Sequence, residues 1–438
     1  MALSPLNTWF SELQQNDNLD RKSAAAILTD NLGPNQLIYP DDVRSSHLQT
    51  HVLKPITPSN HICRSQFPSY LCIDIEIPSI TMSNPSNPLD RTPYTVLPAK
   101  FNPLISITKY HIAGILVHVL GLSELPPDCS SVTVLWLLHP RLQNAESMIP
   151  LGTLCINSYN ATRGDRKEGI IGVTFDQRNH GGRLVDSVSN GSWRDGNERH
   201  AQDMFGCFNG TAVDVGLLID HLGSYIFEDF SDRVAIPEIG RNLVMGVSLG
   251  GHAGWQLLFA EERIEGAAII IGCPDYTAVM TDRARLSKRK TYTVDGGKTF
   301  HGSKDFPQTL VDAIQVWDPR GILFGESEIL TNPPVPLGPS EAARLMEILD
   351  ERIKGKNVLV LSGAADKLVP YKFTEPFVRF LEEAVKKGGW WEEGGIKLKN
   401  VAYEGVGHEV VGGMVEECVR WVNEIMKGEE GGVRKSKI

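Results

Sequence analysis

A short stretch of glycine and serine residues has the types and spacing needed for nucleophilic chemistry. The pentapeptide GVSLG, residues 246–250, follows an apolar run and precedes residues that can begin a helix. A serine on such a strand-to-helix turn is held in a sparsely populated backbone conformation, with its hydroxyl above the sheet edge. A nucleotide-binding turn is the structural alternative, but it would require a GxGxxG or GxxxxGK[ST] pattern, which this stretch lacks. The motif therefore favours Ser248 as a nucleophile.

A serine nucleophile needs a histidine as its base and a carboxylate to orient that histidine. Asp366 follows the apolar strand candidate at 357–363, and His408 follows the last strand candidate, at 399–405. The carboxyl ends of parallel strands meet at one edge of a sheet. We therefore expect Ser248, Asp366 and His408 to lie together.

Other interpretations of these residues stay open at this point. Asp366 could cap the helix that begins near Phe373, and His408 could be an ordinary loop histidine. Asp275, which follows the strand candidate at 266–272, is a rival acid because triads are defined by geometry and not by sequence position. His252 is too near Ser248 along the chain to be an obvious base, so we expect it to line the site or pack against it.

The elements that must position these residues alternate in type along the chain. Amphipathic helical stretches separate apolar strand candidates, and this alternation predicts an α/β fold with a mostly parallel, doubly wound sheet. The strand candidates are 114–122, 131–138, 169–176, 242–247, 266–272, 357–363 and 399–405.

The stretch from about residue 105 to 427 resembles the α/β-hydrolase superfamily. GVSLG matches the nucleophile elbow of that superfamily, "GAADKLVP" resembles its acid loop and "GVGHE" its histidine loop. The resemblance implies that Ser248 is the nucleophile, His408 the general base and then acid, and Asp366 the orienting carboxylate. It implies a serine hydrolase without a metal or another cofactor, with a carboxylesterase or acyl-hydrolase activity on an ester or thioester as the first expectation.

Two other functions remain as alternatives. The first is a serine peptidase or amidase resembling the prolyl oligopeptidase branch, although the chain shows no β-propeller repeat. The second is a non-catalytic binding protein on the same fold. The complete set of Ser248, Asp366 and His408 argues against the second, because a protein without catalysis has no need of all three.

The resemblance also indicates where a developing negative charge would be held. One donor to this oxyanion hole is the backbone N–H of Leu249, and the other comes from the loop after the third strand, here "LLHPRLQ". Pro140 has no N–H, so the second donor is Arg141 or Leu142. For the Arg141 side chain we expect a structural ion pair in preference to binding of a substrate carboxylate.

The loop residues "FDQRNHGGR", 175–183, resemble a stretch found at this place in many superfamily members. We expect Asp176, Arg178 and His180 to brace neighbouring loops, with substrate contact by His180 as the alternative. Trp193 could line the mouth of the pocket. The complete set of pocket candidates is His139, His180, Trp193 and His252.

Composition changes along the chain and predicts its domain organisation. The strand candidate at 71–77 and an extended linker at 85–103 belong to an N-terminal extension that we expect to be partly disordered. The segment 274–356 is too long for a simple connection and predicts a lid-like insertion, or else a bulky connection over one sheet edge. The predicted units are an extension at 1–104, a hydrolase domain at 105–430 with the insertion at 274–356, and a polar tail at 431–438.

Charge and cysteine usage exclude several classes of protein. The chain of 438 residues has a net charge of −10 and no dominant basic stripe, which disfavours nucleic acid as a partner. Its seven scattered cysteines form no CxxC pair, so neither a disulfide framework nor a zinc site is expected. Neither a signal peptide nor a membrane span is predicted, which makes the cytoplasm the expected location. The expected partner is a small-molecule acyl substrate, and no oligomeric state is implied.

Overall fold

The structure is a computed structural model, and it describes residues 87–94, 104–228, 236–329 and 337–428. Most of the N-terminal extension, including the strand predicted at 71–77, lies outside the described residues, as does the polar tail at 431–438.

The described part of the chain contains one eight-stranded sheet with the order β1-β2-β4-β3-β5-β6-β7-β8. Strand β2 runs antiparallel to both of its neighbours, and all pairs from β4 to β8 are parallel. The predicted fold class, a mostly parallel α/β sheet, is confirmed. The strands are β1 (Ile107–Ile112), β2 (Ile115–Leu120), β3 (Ser131–Leu138), β4 (Glu168–Phe175), β5 (Glu238–Val247), β6 (Ile264–Ile270), β7 (Asn357–Gly363) and β8 (Lys397–Tyr403).

Strand β1 was not among the predicted strands. It forms one edge of the sheet and pairs only with β2, and most of its residues are exposed or half-exposed. An edge strand of this kind buries little apolar surface, so its sequence lacks the continuous apolar run that reveals the central strands.

Helices cover the sheet on both sides. In the four described ranges, no helix is both long enough and apolar enough to cross a membrane. The helices are α1 (Ile149–Thr162), α2 (His200–Ile226), α3 (Leu249–Ala260), α4 (Tyr276–Leu286), α5 (Lys290–Thr293), α6 (Gln308–Trp317), α7 (Pro319–Phe324), α8 (Pro339–Arg352), α9 (Tyr371–Val385) and α10 (Gly412–Lys427).

The central strands are apolar on both faces because each face packs on a different helical layer. Along β3, Val134 and Trp136 belong to one core, together with residues of α2, α3 and α9. Leu135 and Leu137 belong to the other core, together with residues of α1 and α10. The alternation follows from the two-residue period of a strand, and it explains the continuous apolar run of residues 131–138.

The segment 87–94 falls within the range expected to be an extended linker, and it packs onto the sheet domain instead. Leu89 is buried in the core that contains α1 and α10. The carbonyl of Pro88 accepts a hydrogen bond from Val410 N at 2.9 Å. This contact places the segment beside the loop that carries His408.

The described residues of the segment 274–356 form helices α4 to α8 between β6 and β7. Most of their buried apolar side chains, among them Tyr276, Ile314 and Leu345, belong to the same core as α2 and α3. The Tyr276 hydroxyl donates to Ala201 O at 2.6 Å. The predicted lid-like insertion is therefore anchored in the core.

Two glycines allow α3 to begin directly against the sheet. A Cβ atom on Gly246 would collide with the carbonyl of Gly250, and one on Gly250 would collide with the carbonyl of Leu138. The backbone of the turn and the end of β3 thus touch where no side chain fits. This contact fixes the position of Ser248 between the two glycines.

Substituting Gly250 tests this backbone contact. We expect Gly250→Ala to lower the free energy of unfolding by about 2 kcal/mol or more, because the added methyl group meets a carbonyl that cannot rotate away. Gly206→Ala is the matched control: Gly206 lies within α2 with no atom within 4 Å of an added Cβ. The control should be unchanged or slightly stabilised. Denaturant unfolding measures both free energies of unfolding. If the two substitutions change the free energy equally, the proposed importance of the backbone contact at Gly250 is contradicted.

Candidate active site

Ser248 lies in the turn between β5 and α3 with an unusual backbone conformation. Its φ is 54° and its ψ is −107°, a region that non-glycine residues rarely occupy. The Ser248 N–H donates to Ile270 O at 2.9 Å, and its carbonyl accepts from His252 N at 3.0 Å. Strand β6 and helix α3 therefore hold the strained residue in place.

The structure brings the three predicted chemical residues together. Ser248 Oγ lies 2.9 Å from His408 Nε2. His408 Nδ1 lies 2.7 Å from Asp366 Oδ2. With Nδ1–H donating to the carboxylate, Nε2 is left as the acceptor for the serine hydroxyl, and this tautomer is assigned from the hydrogen-bond network.

The Asp366 carboxylate is held in a fixed orientation. Its side chain is 1% exposed, and its second oxygen, Oδ1, accepts from Leu368 N at 2.8 Å and from Val369 N at 2.9 Å. These two donors fix the carboxylate so that Oδ2 faces His408.

The loops that carry Asp366 and His408 are joined through their backbones. Ala364 N donates to Tyr403 O at 2.9 Å, and Ala365 N donates to Val406 O at 2.9 Å. A Cβ on Gly363 would collide with the carbonyls of Val406 and Gly407. The end of β7 can therefore pack directly on the histidine loop.

Asp275, the rival acid, is engaged elsewhere. Its Oδ1 accepts from Ala278 N at 2.8 Å and caps helix α4, and its Oδ2 lies 3.8 Å from Arg320 Nε. Burial raises the pKa of Asp275. The structure thus gives this carboxylate a helix-capping position and no contact with His408.

A small space of about 220 Å³, here called the Ser248 cleft, opens above the serine. Strand ends, the segment 87–94 and both triad loops contribute to it. Its lining residues are Pro88, Pro140, Arg141, Ser248, Leu368 and His408.

The candidate oxyanion donors come from two elements. Leu249 is the first residue of α3, so its N–H has no acceptor within the helix. Arg141 and Leu142 are the central residues of a turn in which Gln143 N donates to Pro140 O at 3.3 Å. Arg141 lines the Ser248 cleft, whereas the Leu142 side chain is 44% exposed and is not part of the lining. Arg141 is thus the better placed of the two.

A second space of about 210 Å³, here called the His180 pocket, lies beside the start of α3. Leu249, Arg141 and His180 line it, and Arg141 is shared with the Ser248 cleft. His180 is 2% exposed. Its Nδ1 lies 2.9 Å from Arg178 O, and its Nε2 has no hydrogen-bond partner.

The other pocket candidates lie away from both spaces. His139 is fully buried, with Nδ1 at 2.8 Å from Pro140 O and Nε2 accepting from Gln177 N at 2.9 Å. His252 contacts Cys273 O through Nδ1 at 3.0 Å. Neither ring lines the Ser248 cleft or the His180 pocket.

Trp193 is buried behind the wall of the His180 pocket, which His200 lines. It is 5% exposed and makes an edge contact with the ring of His200 at 5.1 Å. It makes a second edge contact with the ring of Phe300, in the insertion, at 6.3 Å. Its indole thus joins the loop before α2 to the insertion.

Hydrogen bonds and ion pairs of its charged residues hold the loop after β4 against neighbouring segments. Asp176 accepts from Ala145 N at 2.8 Å and from Gly182 N at 2.7 Å. Arg178 and Arg183 both pair with Asp214, at 2.9 and 2.8 Å. His180 differs from this pattern because its free Nε2 belongs to a pocket wall.

Several site residues were not predicted. Pro88 lines the Ser248 cleft from a segment 160 residues before Ser248, and no local pattern indicates this. Arg283, on α4, donates through Nη2 to Leu368 O at 3.1 Å. Leu368 itself could have been found, because it lies two residues after Asp366. In the described ranges, no group of three His, Cys, Asp or Glu side chains is arranged to hold a metal ion.

Comparison with known proteins finds similarity only in structure. No protein-family profile and no curated protein matches the chain. A protein from Thermus thermophilus matches at 14% identity and a TM-score of 0.41, over 75% of this chain and 100% of its own. Est1E of Butyrivibrio proteoclasticus, solved with ferulic acid bound, matches at 14% identity and a TM-score of 0.36, over 73% and 98%.

A puromycin hydrolase matches at 16% identity and a TM-score of 0.40, over 77% of this chain but only 42% of the hydrolase. All three matches have low identity and TM-scores below 0.5, so they carry no argument about activity. The mostly parallel eight-stranded sheet and the strand–turn–helix at Ser248 are features that the resemblance to the α/β-hydrolase superfamily implies.

Three histidines around the site have strongly depressed pKa values. Burial is the largest cause, and it lowers the pKa of His200 and of His252 to about 3 and that of His139 to about 4. In the unfolded chain a histidine titrates near ~6.5. The unfolded chain therefore binds more protons between these values, and the contribution of neutral histidine to stability is lost as the pH falls from ~6.5 towards 4.

His252→Phe tests this acid sensitivity. Phenylalanine can keep the stacking on Phe208, whose ring lies 5.4 Å away, but it cannot bind a proton. We expect the free energy of unfolding to depend less steeply on pH below ~6.5, by up to about 1.4 kcal/mol per pH unit. Denaturant unfolding at several pH values measures the slope. A slope equal to that of the unsubstituted protein would contradict the assignment.

Proposed function

We propose that this protein is a serine hydrolase that cleaves a small ester or thioester through an acyl-enzyme intermediate. The observation that supports it most directly is the continuous hydrogen-bond chain from Ser248 Oγ to His408 Nε2, at 2.9 Å, and from His408 Nδ1 to Asp366 Oδ2, at 2.7 Å. These are the contacts that a serine, its base and the orienting acid require.

In the first half of the reaction, Ser248 Oγ attacks the carbonyl carbon of the substrate and His408 Nε2 takes the hydroxyl proton. The carbonyl π electrons move to its oxygen and form a tetrahedral oxyanion. When the intermediate collapses, the bond to the leaving oxygen or sulfur breaks, and His408 returns the proton to that atom. Asp366 remains ionised and stabilises the imidazolium.

In the second half, His408 removes a proton from water, and the resulting hydroxide attacks the acyl carbon. The second tetrahedral intermediate expels Ser248 Oγ, which regains its proton from His408. The products are an alcohol or thiol and a carboxylic acid, so each cycle consumes one water molecule.

The backbone around Ser248 suits this chemistry. The Leu249 N–H at the start of α3 is available for the oxyanion, and the positive end of the helix dipole lies there. We assign the second donor to the backbone N–H of Arg141, which lines the cleft, over that of Leu142. One donor of this kind typically contributes about 3 kcal/mol to transition-state stabilisation.

The walls of the cleft favour a small acyl substrate over a peptide. Pro88 forms part of these walls, and Val410 N holds that segment against the histidine loop. A peptide would have to extend past the scissile bond on both sides, whereas a short ester needs little more room.

Hydrolysis of short-chain esters by three variants tests the proposal. We expect Ser248→Ala to lose enzyme-dependent hydrolysis, because no nucleophile remains. Asp366→Asn should lower kcat by on the order of 10⁴-fold, because an amide fails to hold the required tautomer of His408. Asp275→Asn is the matched control, since asparagine can still cap α4, and it should keep most of the activity.

The opposite pattern identifies a different mechanism. Activity that survives Asp366→Asn but not Asp275→Asn would move the acid to Asp275. Hydrolysis by Ser248→Ala at the unsubstituted rate would remove the serine mechanism altogether. Cleavage of a peptide panel in preference to the esters would favour the peptidase alternative.

A further inference from the structure

Arg141 stands out among the residues near Ser248 because its charge is not paired. It lines both the Ser248 cleft and the His180 pocket. Its Nη1 donates to Asn190 O at 2.7 Å, which is a neutral carbonyl. Across the described ranges, no carboxylate lies within the 4.0 Å of an ion pair from its guanidinium. The structural ion pair expected from the sequence is absent there.

Other arginines of the same region have carboxylate partners. Arg178 and Arg183 share Asp214, and Arg289, whose side chain is 15% exposed, pairs with Asp305 at 2.8 Å. These three guanidinium groups have carboxylate counter-ions, whereas Arg141 forms no ion pair with any described residue where it lines the two spaces.

A second arginine adds to the positive charge at this place. Arg283 donates to Leu368 O at 3.1 Å and lies 3.3 Å from His200 Nε2, and its Nε has no partner. The pKa of Arg283 is lowered to about 10, first by burial and second by the positive charge of Arg141. The two cations therefore repel one another in a chain whose net charge is −10.

Within the part of the chain that the structure describes, no carboxylate forms an ion pair with Arg141, although the charge of Asp195 partly offsets the lowering of the Arg141 pKa by burial. Asp366 is bound by His408 and by two backbone N–H groups. Asp195 accepts from Ser192 N at 2.9 Å and from Ser192 Oγ at 2.7 Å. Asp203 lines the His180 pocket with one oxygen unpartnered, but it forms no ion pair with Arg141. A half-buried cation without a counter-ion is costly unless an anion binds to it.

The position of Arg141 indicates which side of the substrate would carry that anion. His408 must protonate the leaving group, and it lines the Ser248 cleft. The His180 pocket lies beside the candidate oxyanion donor Leu249 and includes neither Ser248 nor His408 among its lining residues. This geometry fits the acyl side of the ester. Because His180 Nδ1 donates to Arg178 O, its unpartnered Nε2 is a hydrogen-bond acceptor, so the group that would bind a carboxylate is Arg141 and not His180.

We propose that the acyl group of the substrate carries a carboxylate and that the Arg141 guanidinium binds it, so that the substrates are monoesters or monothioesters of a dicarboxylic acid. This inference rests on the proposed hydrolase function. A guanidinium suits it, because its planar fork matches the two oxygens of a carboxylate. Arg141 is then a specificity-determining residue, and its backbone N–H is a separate candidate for the oxyanion.

Hydrolysis of two matched esters tests the proposal. Monomethyl glutarate carries the acyl-side carboxylate, and dimethyl glutarate is its neutral counterpart. We expect the protein to prefer the monoester in kcat/KM by at least about 10-fold, measured by pH-stat. Arg141→Gln should reduce the ratio of the two kcat/KM values by about 10- to 100-fold, and Arg141→Lys should restore part of it.

Two controls separate recognition from structural damage. If the role of Arg141 were merely structural, Arg141→Gln would lower kcat/KM for both esters by the same factor and leave the ratio of the two values unchanged. Arg285→Gln removes an exposed arginine that pairs with Asp282 and should leave the ratio as it was. Wild-type preference for the monoester needs no variant, so the proposal stays testable even if Arg141→Gln does not fold.

The outcomes distinguish this proposal from the function on which it rests. Equal or faster hydrolysis of dimethyl glutarate, or an unchanged ratio in Arg141→Gln, overturns the anionic substrate and leaves the serine hydrolase standing. In 4-acetoxybutanoate the carboxylate is on the leaving side. If Arg141→Gln lowers kcat/KM more for this ester than for monomethyl glutarate, the acyl-side assignment is overturned. If Ser248→Ala hydrolyses these esters like the unsubstituted protein, both the function and this proposal fail.

Discussion

The contact between the start of helix α3 and the end of strand β3 is the constraint on which the site depends. Gly250 touches the carbonyl of Leu138, and Gly246 touches Gly250, with no room for a side chain at either place. The turn is therefore tight, and Ser248 takes a φ of 54°. The same contact sets the first N–H of α3 beside the loop after β3. That loop carries Arg141, which lines the Ser248 cleft. The positions of the candidate nucleophile, of the candidate oxyanion donor and of a wall of the cleft thus follow from one backbone packing.

A second close contact of the same kind aligns the other two residues. Gly363 at the end of β7 packs on the backbone of Val406 and Gly407, and two hydrogen bonds join the acid loop to the histidine loop. The distance of 2.7 Å between Asp366 and His408 follows from this junction. Strained or tightly packed backbone of this kind persists where the surrounding structure over-determines it. Here the parallel pairing of β7 with β6 and with β8 provides that support.

The sequence predicts the central strands and the three chemical residues for one physical reason. Ser248 directly follows the strand candidate at 242–247, and Asp366 and His408 each come three residues after a later strand candidate. Parallel topology brings such positions to one edge. The edge strand β1 escapes prediction because only one of its six residues is buried. Pro88 and Arg283 escape it because their contacts with the site are made by distant segments without periodic patterns. His139 shows a further limit: residue type and position at a strand end do not determine whether a side chain faces the cleft or the interior, and this ring is fully buried.

The account depends most on Ser248 being the nucleophile, and covalent labelling tests this directly. The folded protein would be treated with a fluorophosphonate, digested, and mapped by mass spectrometry. One adduct on the peptide that contains Ser248, absent from Ser248→Ala, is the predicted result, because a hydroxyl 2.9 Å from His408 Nε2 is activated for attack on phosphorus. An unlabelled protein that remains folded, or an adduct on another residue that persists in Ser248→Ala, would contradict the account.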